Sequence, residues 1–144
     1  MSLSPDDIRD LRVTWALVAK DAEGATTAFY EELFRIAPRL RPLFAGADLK
    51  AQGRKLASAI GLVVRHADNL APVLGPLRDM GARHTGYGVR AADYDAVGQA
   101  LIATLQAGLG PALTPRARNA WITAYSAVAG AMQAGAADLA RESA

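Results

Sequence analysis

The 144-residue chain is 51% hydrophobic and 21% charged, the proportions of an ordinary globular domain rather than a disordered segment. Sixteen basic residues against fourteen acidic ones leave a formal charge of +2, and the basic residues are scattered, which argues against nucleic acid as the main partner. The absence of cysteine excludes disulfide scaffolds, thiolate zinc sites, iron–sulfur clusters, thiol catalysis and thioether-linked cofactors.

The first helix signal is Ser4-Pro5-Asp6-Asp7: a serine cap, proline at the first helical position and an acid at the third. Behind it Ile8, Leu11, Trp15 and Val18 fall on one face. A second helix carries Phe29, Tyr30, Leu33, Phe34 and Ala37 and stops at Pro38. Pro38 to Leu43 forms a short helical turn leading to Phe44, and Gly46 opens a loop. Asp48 caps a third helix whose inward side is Gln52, Leu56, Ile60, Val63 and Val64. Leu70, Val73, Leu74, Leu77, Met80, Gly81 and His84 make the next stripe, in a segment expected to be short or kinked because of Pro76. Gly86-Tyr87-Gly88 breaks the chain. A long helix then runs from about Ala91 to Leu109, with Tyr94, Val97, Leu101 and Leu105 aligned. Thr114-Pro115 starts the last helix, marked by Trp121, Tyr125, Val128, Met132 and Leu139. No segment alternates with period two between hairpin signals, so the class is all-α.

The acidic N-terminus lacks the order of a signal peptide. The longest apolar run, roughly Leu56 to Val64, falls far short of the ~20 residues that span a bilayer. No repeat or low-complexity linker divides the chain. A single cytoplasmic domain over residues 1–144, with no membrane span, is expected; the subunit count stays open.

Two histidines are present. His66 stands near the end of the third helix beside Arg65 and Asp68 and reads as solvated. His84 lies on the apolar side of its helix, a place where a lone histidine more often has a structural, hydrogen-bonded role. Without cysteine or a His-x-x-x-His pair, a protein-only zinc site is excluded. An iron held mainly by a porphyrin needs only one axial nitrogen from the chain. Phe44 at its corner, and Tyr30 and Gln52 as polar tips on apolar helix sides, each have an ordinary reading alone: core, surface hydroxyl and solvent-facing amide. Their joint spacing is the signal.

That spacing resembles the globin family, specifically bacterial single-domain haemoglobins and the haem domain of flavohaemoglobins. The matching stretches are Phe29-Tyr30-Glu31-Glu32-Leu33-Phe34, Pro38 through Phe44, Gln52 with Leu56, Arg83-His84, Val89, Asp93 through Gly98, and Ala120-Trp121 with Ala124-Tyr125. The resemblance implies a globin fold of about six to eight helices around one pocket, holding haem b (iron protoporphyrin IX) without a covalent bond. His84 resembles the proximal iron ligand and Phe44 the corner phenylalanine that stacks on the porphyrin. Tyr30 and Gln52 resemble the distal pair that meets the gas, and Leu56 the apolar residue beside it. Met80, Val89 and Val97 resemble pocket wall, and Arg83 a partner for a haem propionate. Tyr94 matches a tyrosine that, with a glutamate, backs the proximal histidine in flavohaemoglobin-like proteins. Ala136 stands where that glutamate would fall, with Asp138 close by. A weakened proximal push follows, and it counts against peroxidase-like chemistry.

The implied ligands are dioxygen, carbon monoxide and nitric oxide. Met80 shares a helix with His84 and cannot reach the opposite haem face. His66 lies fourteen residues beyond Gln52, about 21 Å along a straight helix. Five-coordinate ferrous iron is therefore expected, with Tyr30 the one internal candidate to approach the ferric form. The leading function is reversible dioxygen binding for storage, delivery or scavenging. The enzymatic competitor is nitric oxide dioxygenation, in which dioxygen held against Tyr30 reacts with nitric oxide to give nitrate. The chain stops at Ala144 with no flavin or nicotinamide module, so that chemistry would draw on a separate reductase. A gas sensor acting through partners and a haemless helical adaptor are the remaining alternatives.

Overall fold

The computed structural model describes residues 3–86 and 88–143, the side chains of 85, 86 and 138–143 excepted. Six α-helices account for most of these: α1 (Pro5–Val18), α2 (Ala22–Ile36), α3 (Leu49–Arg65), α4 (Ala71–Gly86), α5 (Ala91–Leu109) and α6 (Pro115–Ser143). Short 3-10 turns cover Ala19–Asp21, Pro38–Phe44 and Gly110–Ala112, and among the described residues there is no strand. No described helix is long and apolar enough to cross a membrane.

The helix starts follow the sequence signals. Ser4 accepts from the Asp7 amide while Asp7 accepts from the Ser4 amide, a complete capping box on α1. Asp48 accepts from the amides of Lys50 and Ala51 to cap α3, and the Thr114 hydroxyl accepts from Ala117 N–H at the head of α6. α2 ends at Ile36, two residues before Pro38, and the Pro38–Phe44 turn carries Phe44 to a loop where Gly46 takes φ +79°. His66 is half-buried rather than solvated: it closes α3, with Nδ1 3.0 Å from the Leu62 carbonyl oxygen.

Two details of the expected fourth helix change. Pro76 neither shortens nor ends it, and α4 runs unbroken through sixteen residues. Pro76 is the sixth of these, and the hydrogen bond it forgoes is the one to the carbonyl of Pro72, on the exposed side of the helix start. Leu74 is 40% exposed and so leaves the inward stripe, whereas Val73 and Leu77 are buried. The break after Gly86 follows the expected pattern, with Gly88 at φ +92°, although Tyr87 lies outside the described residues, as does the side chain of Leu139.

α2 packs on α3 and α5, α4 lies along α6, and α1 rests on α6, α3 and α5. The apolar core accordingly forms three clusters. One joins Leu11, Val64, Ile102, Leu105 and Trp121 beneath α1. There Trp121 Nε1 donates to the Thr14 hydroxyl at 2.9 Å, and Thr14 donates to the Asp10 carbonyl at 2.6 Å, so both buried polar groups are satisfied. The second gathers Phe29, Tyr30, Leu33, Phe34, Leu40 and Ala100, and the third Val73, Leu77, Tyr94, Ala129 and Met132. Leu105 is 2% exposed in the first cluster, remote from the predicted site. Leu105→Ala is expected to lower folding stability by about 2–5 kcal/mol through lost burial and a residual cavity, read from the urea midpoint.

Candidate functional site

The second cluster assembles most of the predicted distal side. Tyr30 is 8% exposed, with ring centroids 5.3 Å from Phe29, 6.1 Å from Phe34 and 5.5 Å from Phe44. Leu56 and Val97 pack on the same cluster from α3 and α5. Burial pushes the Tyr30 phenol above its usual value of 10.0, so it is a neutral hydroxyl donor across the physiological range. No described residue hydrogen-bonds that hydroxyl.

The seating of α3 against α2 depends on a glycine that the sequence reading passed over. A Cβ at Gly53 would stand 2.6 Å from Thr26 Oγ1, so only glycine allows this crossing without displacement. Thr26 lies one turn before Tyr30, and Gly53 lies between Gln52 and Leu56 in the first turns of α3. The close approach thus brings that stretch of α3 alongside the Tyr30 turn. Gln52 is half-buried there. The available signal was a glycine inside a strongly amphipathic helix.

The third cluster gathers other predicted residues. Met80 and Val89 flank Leu77, Tyr94 and Met132. His84 is half-buried, and its Nδ1 lies 2.6 Å from the Met80 carbonyl oxygen one turn earlier. A carbonyl can only accept, so Nδ1 is the donor in this contact. Val89 N–H donates to the His84 carbonyl at 3.1 Å, tying the following segment back to the same turn. Arg83 is exposed on α4. Tyr94 is buried, and its carbonyl accepts from the Tyr125 hydroxyl at 2.6 Å. Burial first, and then the neighbouring Tyr94 and Asp95, push Tyr125 well above the usual phenol range, so this donor stays protonated.

Tyr30 and Met80, the residue whose carbonyl orients His84, belong to different clusters. α5 connects them, presenting Val97 to one and Tyr94 to the other. Two clefts open elsewhere. One of about 670 Å³ runs between α5 and α6 past Tyr94, Ile102, Arg118 and Tyr125, and one of about 240 Å³ lies between α2 and α3 beside Thr26 and Gly53. Tyr94 is the one predicted site residue on either wall among those described.

A second unforeseen brace spans the site. Arg39, in the Phe44 turn, grips Asp93 at the start of α5 with both ends of its guanidinium, Nε donating at 3.2 Å. The Asp93 carboxylate also accepts from Arg90 N–H at 2.8 Å and is 5% exposed. This pair pins the corner that carries Phe44 to the helix that carries Tyr94 and Val97. Asp93→Ala is expected to cost about 1.5–3 kcal/mol in chemical denaturation, less than a fully buried pair because the orphaned Arg39 can turn to water. The residues lie 54 apart in sequence, and neither type nor spacing marks them as partners.

A family model described as globin matches residues 27–132. The chain is a globin. It is 30% identical over 146 residues to a neuroglobin of Danio rerio, covering 92% of both proteins. It is also 30% identical over 129 residues to a flavohemoprotein of Bordetella pertussis, covering 88% of this globin but 32% of that relative. Among solved structures, a hexacoordinated heme protein from an anhydrobiotic tardigrade superimposes with a TM-score of 0.84 at 18% identity, over 93% of this chain and 95% of that one. The likeness in sequence therefore extends beyond bacterial haem domains to vertebrate neuroglobins, and the likeness in structure shows the shared fold.

Proposed function

We propose that this globin holds haem b without a covalent bond and through it reversibly binds dioxygen, with carbon monoxide and nitric oxide as competing ligands. The observation that carries the reading is the His84 imidazole. Its Nδ1 donates to the Met80 carbonyl at 2.6 Å, which makes the ring a better electron-pair donor to a metal. The remaining residues fit the same group. A buried phenol with no protein hydrogen-bond partner among the described residues, aromatic rings at Phe34 and Phe44, and apolar side chains at Leu56 and Val97 suit a flat apolar macrocycle and a small polar ligand.

When bound, haem supplies a ferrous iron with an open coordination position. His84 would hold the iron from α4, in the stretch between Met80 and Val89. Tyr30 would present its O–H, and Gln52 on α3 a second polar tip, to a small polar ligand. Phe44, Leu56 and Val97 exclude water, which would promote oxidation of the iron. Arg83, exposed on α4, suits a propionate at the rim. His66 closes the far end of α3, fourteen residues beyond Gln52, so five-coordinate iron would be expected.

A visible spectrum of the purified protein, before and after dithionite and then carbon monoxide, tests the reading. A Soret band that becomes that of five-coordinate ferrous haem and shifts with carbon monoxide is expected. Protein that stays colourless after haem is added overturns it. The flavohemoprotein likeness, confined to 32% of that relative, favours a second reading: nitric oxide dioxygenation with electrons from a separate reductase. Rapid mixing of the dioxygen-loaded protein with nitric oxide, followed by turnover with a reductase, separates the two. A single stoichiometric burst without sustained nitrate formation refutes the enzyme.

A further inference from the structure

α4 and α6 meet backbone to backbone at two reciprocal points. A Cβ at Gly81 of α4 would lie 1.9 Å from the Met132 carbonyl oxygen, and one at Gly135 of α6 would lie 1.9 Å from the Arg78 carbonyl oxygen. Each helix offers a glycine to the carbonyl of the other, three residues apart on both, in antiparallel register. Both glycines are buried. Such contacts let Cα–H groups meet carbonyl oxygens, and they exist only where no methyl intervenes. Glycine is among the weakest helix formers, so an interior glycine without a packing reason is a cost to its helix.

The contact sits on the turn that matters. Gly81 follows Met80, whose carbonyl holds His84 Nδ1, and precedes His84 by three residues. Continued one turn, the register sets His84 level with Ala129 and sets Ala136 level with Leu77. The residue at the expected glutamate position is therefore about two turns from His84 along the crossing. What meets the Met80–Gly81 turn is the α6 backbone at Met132, with Tyr94, Ala129 and Met132 packed in the same cluster. Real Cβ contacts do not fall below 3.0 Å, so a single methyl at either glycine moves the helices apart by about 1 Å or more.

We propose that the Gly81–Gly135 seat sets the position of His84 relative to the haem plane, making these two glycines positioning residues for the axial ligand. The inference rests on the haem reading above. The seat acts as a rigid steric stop beside the Met80 carbonyl that holds Nδ1, fixing imidazole height through helix separation.

The test uses haem-loaded full-length protein. Gly81→Ala and Gly135→Ala are each expected to shift the ferrous iron–histidine stretching band in resonance Raman spectra and to speed haem loss to apomyoglobin about tenfold, the scale of losing an orienting partner. The double variant is expected to add little, because both methyls open one contact. Gly75→Ala on α4 and Gly130→Ala on α6, where nothing lies within 4 Å of the built Cβ, are expected to leave band and rate unchanged. A band and loss rate in Gly81→Ala equal to those of the Gly75→Ala control overturn the proposal. Should the seat variants fail to fold, native-state hydrogen exchange of the unaltered protein decides. Amides of residues 78–84 are expected to open together with those of 129–135, and fast, independent exchange of the α4 turn refutes the seat. Failure of the haem reading is distinguishable, since it appears as absent Soret absorption in the unaltered protein.

Discussion

His84→Ala is expected to raise the rate of haem loss more than about a hundredfold, because removing a group that only hydrogen-bonds to a metal ligand costs ten- to a hundredfold and this substitution would remove the proposed ligand itself. The argument begins with what α4 provides. The helix supplies one imidazole whose Nδ1 donates to the Met80 carbonyl. The aromatic and aliphatic groups around Tyr30 and Tyr94 would hold a macrocycle only by burial, which has no direction. The alanine variant is expected to retain its helices, because His84 is half-buried and its loss opens no closed cavity. Free imidazole restores the haem spectrum by filling the space vacated by the side chain. The protein also loses the stabilisation linked to haem binding, so its melting temperature falls toward that of the haem-free form. Absorbance during transfer of haem to apomyoglobin measures the rate. Loss as slow as in the unaltered protein sinks the axial assignment.

Tyr30→Phe is expected to accelerate dioxygen release about ten- to a hundredfold, with a much smaller change for carbon monoxide. The substitution keeps the ring contacts to Phe29, Phe34 and Phe44 and removes one hydroxyl. A hydrogen bond to a partly charged acceptor is worth about 1.5–3 kcal/mol, and its loss appears directly in the dissociation rate. Carbon monoxide draws little charge and serves as the internal control. The sign with pH follows from the burial that raises the phenol above 10.0. The neutral form is favoured in the folded state, so the donor persists through neutral and mildly alkaline solution. The associated stability is intact below the unfolded value and is lost as pH climbs through the raised one. Stopped-flow displacement of dioxygen by carbon monoxide measures the rate. An unchanged value means the hydroxyl points away from the gas.

Much of the helical plan was legible because its signals are local. Ser4, Asp48 and Thr114 each satisfy amides within three residues, and α2 stops just before Pro38, which has no amide hydrogen to continue it. Pro76 misled for the same reason in reverse: its local penalty is real, but it falls on the exposed side near the start of α4, and the helix continues. Tyr30, Phe44, Leu56 and Val97 were legible as a group, and the fold packs them in one cluster. Arg39 with Asp93, Thr26 with Gly53, and Gly81 with Gly135 were not. Each depends on two segments meeting, and nothing in one segment encodes the other's position.

From the order of its residues alone, this protein declares an all-α chain, because helical periodicity and caps are one-dimensional properties, and the resemblance carried by Tyr30, Phe44, Gln52 and His84 points to the globin family that the family model also matches. Tertiary structure decided how close the helices come, which backbone stands behind His84, and which charge anchors the Phe44 corner. Those outcomes turn on ångström-scale exclusion between atoms far apart in the chain. Steric contact depends on distance in space, which composition and periodicity do not carry.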